Sequence, residues 1–272
     1  MKPSPKPSVR RLRGFTLTEL AIAFCVIALL LGGIAMTLSA QNENRQLAET
    51  QRTLDNAREA LIGFAVRFGR LPCPASNGTT GNEDRRDSTN AFTCSVCATA
   101  DAYCEGMLPA LTLGLGPIDA QGYLIDAWGN RVRYAVTNWS ASGTAVAQCP
   151  PNGAKDYKQC PAFTTANAIA SLGVTSAPPF SGPAMLRICT NAACSGTTSS
   201  APAVVWSVGR NYIVRAPTFD ADETENLDTP ADGTFVAHEI RPPSGAGGEF
   251  DDIVTWISPS VLFSRMVSAG AL

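Results

Sequence analysis

The strongest constraint on this chain is RLRGFTLTELAIAFCVIALLLGGIAMTL, residues 11–38, in which the 19 residues from Leu20 to Leu38 carry no charge. A helix rising about 1.5 Å per residue makes such a run nearly as long as a hydrocarbon core of about 30 Å is thick. One carboxylate, Glu19, stands at its threshold, where a charge is costly to take out of water. Upstream lie Lys2, Lys6, Arg10, Arg11 and Arg13 without any acid, so five of the 21 basic residues precede Gly14 and 16 remain against 23 acidic ones. A basic flank is retained on the cytoplasmic side of a membrane, which places the acidic remainder across it. An acidic body also lacks the electrostatic footprint of a nucleic-acid binder.

Nine cysteines agree with that compartment. Cys25 lies in the apolar run, and Cys73, Cys94, Cys97, Cys104, Cys149, Cys160, Cys189 and Cys194 all lie downstream, where an oxidising periplasm lets disulfides persist. The short closures are Cys189 with Cys194, Cys149 with Cys160, Cys73 with Cys94 and Cys97 with Cys104. Cys73, Cys94, Cys97 and Cys104 also have the makings of a four-thiolate zinc site, and CSVC alone those of a redox pair. The compartment favours structural disulfides.

Three readings compete for Glu19. A secretory signal has a basic start and an apolar run, but usually a shorter one, and TLSAQ is a weak cleavage site. A plain anchor leaves Glu19 unexplained. Cleavage between Gly14 and Phe15 would remove the basic leader and expose an amine at Phe15, four positions before Glu19. Amine and carboxylate, in one subunit or between neighbours, would then offset each other's burial.

RGFTLTEL, Arg13 to Leu20, followed by the apolar run, resembles the prepilin processing motif of type IV pilins and type II secretion pseudopilins: Gly14, then Phe15, then Glu19 at the fifth mature position. The resemblance implies cleavage by prepilin peptidase, N-methylation of Phe15, and helical stacking in which Glu19 meets the Phe15 amine of a neighbour. It also implies an inner-membrane assembly platform and other pilins or pseudopilins as partners, and membrane lipid around the helix. The expected organisation is a basic leader (1–14), a transmembrane and assembly half-helix (15–40), an amphipathic half-helix (41–70) and a periplasmic globular domain (71–272).

Past the membrane, Leu47, Leu54, Leu61 and Phe68 recur every seven residues with Ala57 and Phe64 between them, the mark of a helix with one buried face. Beyond Pro72, RVRYAVTN alternates, with Val132, Tyr134 and Val136 on one face and Arg131 and Arg133 on the other. AMLRICT, AVVWSVG, NYIVRA and DIVTWI are further strand candidates. DAWGN, residues 126–130, resembles the Asp-Pro-Trp-Gly-Asn turn of major pseudopilins, with Ala127 in place of proline. The fold class expected is α+β and pilin-like: a long N-terminal helix packed on an antiparallel sheet with disulfide-closed loops.

Between Asp220 and Asp252 lie ten carboxylates and one arginine, Arg241. In the major pseudopilins this region is a calcium-binding loop, and calcium takes hard oxygen ligands. DADETENLD also reads as a solvated loop, without the ligand spacing of an EF-hand. The calcium candidates are Asp220, Asp222, Asp251 and Asp252. No catalytic site is expected: His238 is the sole histidine, and no nucleophile elbow, phosphate loop or paired-histidine motif occurs. At the C-terminus, Ser258 and Pro259 open a helix whose apolar face is Leu262, Phe263, Met266 and Val267, with Gly270 as its stop.

The expected function is therefore that of a structural subunit, in a minor position, of a type IV pilus or type II secretion pseudopilus. It would be held by a single pass in a bacterial inner membrane, with its C-terminal domain in the periplasm, and would enter a periplasmic or extracellular filament. The rival reading is a membrane-anchored periplasmic adhesin or binding domain that does not polymerise.

Overall fold

A computed structural model describes residues 16–78, 80–84, 94, 103–137, 186–195, 197–215, 219–227, 233–245 and 247–271. It divides into two compact units, Met1–Gln46 and Leu47–Leu272, so the first helix belongs with the globular body only from Leu47 onward. That helix, α1, runs Leu17–Phe68. In the first unit, Leu17, Ile22, Phe24 and Leu29 are exposed, as are the apolar residues between them. Among the described residues no helix is long and apolar enough to cross a membrane. The side chains of residues 30–40 lie outside those described.

In the second unit α1 buries Thr50, Leu54, Ala57, Leu61 and Phe64, together with Ile62 and Ala65. Each buried leucine contributes about 1.5–3 kcal/mol relative to exposure. Phe68, expected on this stripe, is exposed and lies against Phe64 with ring centroids 4.4 Å apart. The helix stops there because Gly69 turns to φ +65° while its N–H still reaches the Ala65 carbonyl.

The stripe packs on a four-stranded sheet of β1 (Tyr103–Met107), β2 (Arg133–Thr137), β5 (Ala203–Ser207) and β7 (Ile253–Ile257), ordered β1-β2-β5-β7 and antiparallel throughout. Val132, Tyr134, Val136, Val205 and Ile257 share the core of α1. The opposite face is not solvated as the alternation of RVRYAVTN implies. Ala135, Val204 and Trp206 there meet Leu186, Ile188 and Phe235 of a second sheet, ordered β4-β3-β6. That sheet joins β3 (Leu186–Cys189) antiparallel to β4 (Thr197–Ala201) and parallel to β6 (Thr234–Val236).

The short helices are α2 (Ala110–Leu113), α3 (Tyr212–Arg215), α4 (Ala221–Glu225) and α5 (Pro259–Ser268). NYIVRA, expected as a strand, forms α3, because both N–H groups that precede it, at Arg210 and Asn211, donate to Asp251 Oδ2 instead of a neighbouring strand. α5 buries Leu262 and Met266 fully, leaves Phe263 half-buried and exposes Val267. The Ser258 hydroxyl lies 2.8 Å from that of Ser260 and does not cap the backbone.

Cys73 pairs with Cys94 and Cys189 with Cys194, as expected. Cys104 is disulfide-bonded to a partner outside the described residues, so the four-thiolate zinc reading fails. Cys97, Cys149 and Cys160 lie outside the described residues. Cys25 is free and exposed.

The DAWGN turn ties three elements together. Asp126 Oδ1 accepts the N–H groups of Trp128 and Asn130, and its Oδ2 accepts the Ser207 hydroxyl at 2.6 Å. Asn130 Nδ2 donates to the Gly209 carbonyl. Ala127 N donates to the buried Thr50 Oγ1 of α1 at 3.1 Å. Proline at this position would have no N–H to give, which accounts for alanine here.

Candidate functional site

Gly14 and Phe15 lie outside the described residues. Glu19 lies in the first turn of α1, where its Oε2 accepts the Thr16 N–H at 2.9 Å and the Thr16 hydroxyl at 2.8 Å, while Glu19 N donates to Thr16 Oγ1. This reciprocal exchange is a capping box that satisfies two backbone donors otherwise left open at a helix start. Its signature is TLTE at residues 16–19, a threonine followed three positions later by glutamate. Within one subunit, then, Glu19 already has a partner.

The acidic tail folds differently from the expected grouping. Carboxylate oxygens of Glu223, Asp251 and Asp252 lie within 4.8 Å of one another, all three residues buried. Asp251 and Asp252 lie in this cluster, whereas Asp220 and Asp222 are engaged elsewhere. Asp220 Oδ2 accepts the Glu249 N–H at 2.8 Å. Asp222 Oδ2 meets Arg241 Nη2 at 2.9 Å and His238 Nε2 at 3.2 Å, and its Oδ1 accepts the N–H of Ala192 inside the Cys189–Cys194 loop. His238 lies outside the strands, its ring against Phe250. DADETENLD is in part helix rather than loop, and neighbouring residues on a helix point about 100° apart. Asp222 and Glu223 consequently serve different clusters.

Around the buried trio, Asn211 Nδ2 donates to Glu223 Oε1 at 2.8 Å and Asp251 N to the same oxygen at 3.1 Å. Asn226 Nδ2 donates to Asp252 Oδ2 at 2.8 Å. Gly209, at φ +67°, leaves room for Asp251: a Cβ there would collide with its carboxylate. The buried oxygens Asp251 Oδ1 and Asn211 Oδ1 accept no hydrogen bond.

Burial, reinforced by the charges of Glu223 and Glu249, pushes Asp251 up to about 6 despite the N–H groups of Asn211 and Arg210. Burial likewise raises Asp252 well above the usual range, with Glu223 and Asp251 adding to it against the opposing bond from Asn226 and the charge of Arg133. Asp222 moves the other way. Burial works against it, but Ala192 N–H, Arg241 and His238 together hold it below the ordinary carboxylate range. Asp222 is a satisfied structural anion, whereas Asp251 and Asp252 meet too little positive charge to offset their burial.

Orphaned hard oxygens beside three buried carboxylates fit a cation of the calcium type. Glu223, Asp251 and Asp252 would hold it, with Asn211 Oδ1 as a neutral ligand. Compared with known proteins, the chain matches no family model, no curated protein and no solved structure.

Proposed function

We propose that the chain is a pilin-like structural subunit, processed between Gly14 and Phe15 by prepilin peptidase and assembled through α1 into a type IV pilus or type II secretion pseudopilus. The observation that carries this reading is the head of α1: apolar side chains exposed from Leu17 to Leu29, with one carboxylate, Glu19, in the first turn. Such a surface needs lipid or neighbouring helices around it, since a contiguous apolar face of this kind is unfavourable in water. Its partners are other pilins or pseudopilins, the inner-membrane platform and membrane lipid, and its role is non-catalytic. The globular body supplies a folded unit with its own core and disulfides, built to stand in the periplasm while the helix is held in the membrane.

The bond between Glu19 and Thr16 fits this reading as the resting arrangement of an unassembled subunit. On assembly the carboxylate turns to the Phe15 amine of a neighbour. In the same reading the trio of Glu223, Asp251 and Asp252 takes calcium, whose charge offsets the three carboxylates and ties α4 to the start of β7.

N-terminal sequencing of the mature protein tests the processing step, and a start anywhere other than Phe15 overturns it. Glu19→Gln tests assembly, because it keeps a side chain that completes a capping box while removing the charge. The variant should be cleaved and membrane-bound yet depleted from sheared filaments. Wild-type protein absent from any filament, although cleaved at Phe15, would instead favour the anchored, non-polymerising binding domain.

A further inference from the structure

We infer that Asn77–Gly78 is a site of spontaneous backbone-assisted deamidation in which Arg131 activates the asparagine amide. Asn77 and Gly78 are exposed, in a loop held at both ends: Ala75 exchanges backbone bonds with Met107, and Gly81 N donates to the Gln121 carbonyl. Arg131 lies across the loop in a fixed pose, its Nε on Asp119 Oδ2 at 2.7 Å, Nη2 on Gln121 Oε1 at 3.0 Å and the guanidinium over the Tyr123 ring. Its remaining arm, Nη1, donates to Asn77 Oδ1 at 3.2 Å. Tyr123 in turn donates to the Ser76 carbonyl, so the residue before Asn77 is pinned as well. Gly78 has φ +96° and nothing within 4 Å of where a Cβ would stand. Being glycine, residue 78 puts no side chain of its own between its nitrogen and the neighbouring amide.

The chemistry balances without a redox partner. Gly78 N gives up its proton to solvent base and attacks Cγ of Asn77, and the negative charge develops on Oδ1, the atom facing Arg131. A donor aimed at an oxygen on which charge develops stabilises the transition state more than the ground state. Collapse breaks the carboxamide C–N bond as the departing nitrogen takes a proton from solvent and leaves as ammonia, and a succinimide remains between residues 77 and 78. Water then opens one of its two carbonyls to give aspartate or isoaspartate. Asp119 lies on the same guanidinium and lessens its charge, but it engages Nε rather than the arm on Asn77. The product places a second carboxylate beside Arg131, in competition with Asp119.

The test is a time course of the full chain in mildly alkaline buffer, folded and urea-unfolded, with peptide mapping by mass spectrometry and an isoaspartate-specific assay for residue 77. Folded wild-type protein should convert at least as fast as the unfolded chain. Arg131→Gln, folded, should convert about tenfold more slowly, the scale of one charge-assisted hydrogen bond. Arg131→Lys, which retains the charge, should fall between them and guards against a loop merely loosened in the glutamine variant. Folded protein that keeps Asn77 intact while the unfolded chain converts overturns the inference. So does an Arg131→Gln variant that converts as fast as wild type or faster.

Discussion

Replacing Glu223 by Gln removes one of three buried ionisable carboxyls while retaining an oxygen to accept from Asn211 and Asp251, so its effect on stability should reverse with calcium. Without calcium, ionised carboxylates within 4.8 Å repel by about 3.5 kcal/mol per pair at an effective dielectric of about 20. The folded protein escapes part of this by holding protons, and burial, to which the charge of Glu223 adds, pushes Asp251 up to about 6. Burial is the first cause of that shift and the charge of Glu223 a smaller one, so Glu223→Gln should return about 1 kcal/mol. For a unit of roughly 200 residues that raises the melting temperature by about 2–4 °C in chelator. In saturating calcium the same change removes a charged ligand, and a tenfold weaker site loses about 1.4 kcal/mol of linked stability. The calcium-induced rise in melting should therefore shrink by several degrees. Differential scanning fluorimetry at neutral pH, with chelator and with calcium, reads both arms. If wild type melts alike in the two buffers and Glu223→Gln melts lower in both, the trio is a hydrogen-bonded network that neither repels nor binds calcium.

The pH dependence of chelated protein follows from the same groups: the folded pKa of Asp251, about 6, exceeds its reference of 3.8, so the folded state holds the extra proton between them. Stability in chelator should fall as pH rises through that window, and the calcium-induced gain should grow over the same range, both read by melting. Gly14 replaced by Phe should leave full-length protein in the membrane fraction, seen by immunoblot, and normal cleavage would count against the processing site. Ala127→Pro should cost about 1 kcal/mol through the lost bond to Thr50, and an unchanged urea midpoint would show that bond to be dispensable. Leu262→Ala should cost about 2–5 kcal/mol because Leu262 is fully buried, and unaltered melting would mean that α5 does not support the core.

What could be read from the chain follows where local pattern and tertiary burial agree. The stripe Leu54, Ala57, Leu61 and Phe64, the alternation of Val132, Tyr134 and Val136, and the face of α5 at Leu262 and Met266 are each fixed by one period and one buried side. The second sheet was harder to see. β4 is TTSSA, with almost no apolar signal, and β6 is three residues long, so both exist through pairing with β3 rather than through their own composition. Glu223 carries no distinguishing sequence signal for a related reason. In a loop, Asp220 and Asp222 look equivalent to it, and only the turn of α4 sends Asp222 to Arg241 and Glu223 to Asp251. The orphan Asn211 Oδ1 has no sequence signature, since it depends on a residue 40 positions away holding its backbone.

The capping box at Thr16 bears on why residue 19 is Glu at all. Glutamine serves at the third position of such a cap as glutamate does. The charge gains a little by facing the positive end of the helix dipole. Against this stands the cost of bringing a carboxylate toward lipid, which is largest at mid-bilayer and smaller near the edge. Local capping thus accounts for a polar side chain in this turn but leaves the charge roughly neutral or unfavourable. A cationic partner reverses that balance, because an amine and a carboxylate leaving water together regain in mutual attraction much of what each loses alone. On the proposed reading, the cap would be the weaker of the two interactions and would yield to such a partner. If Glu19→Gln and wild type enter filaments equally, the cap suffices and the charge has no role in assembly. If only the glutamine variant is excluded while Thr16→Ala enters normally, the charge rather than the cap is what assembly requires.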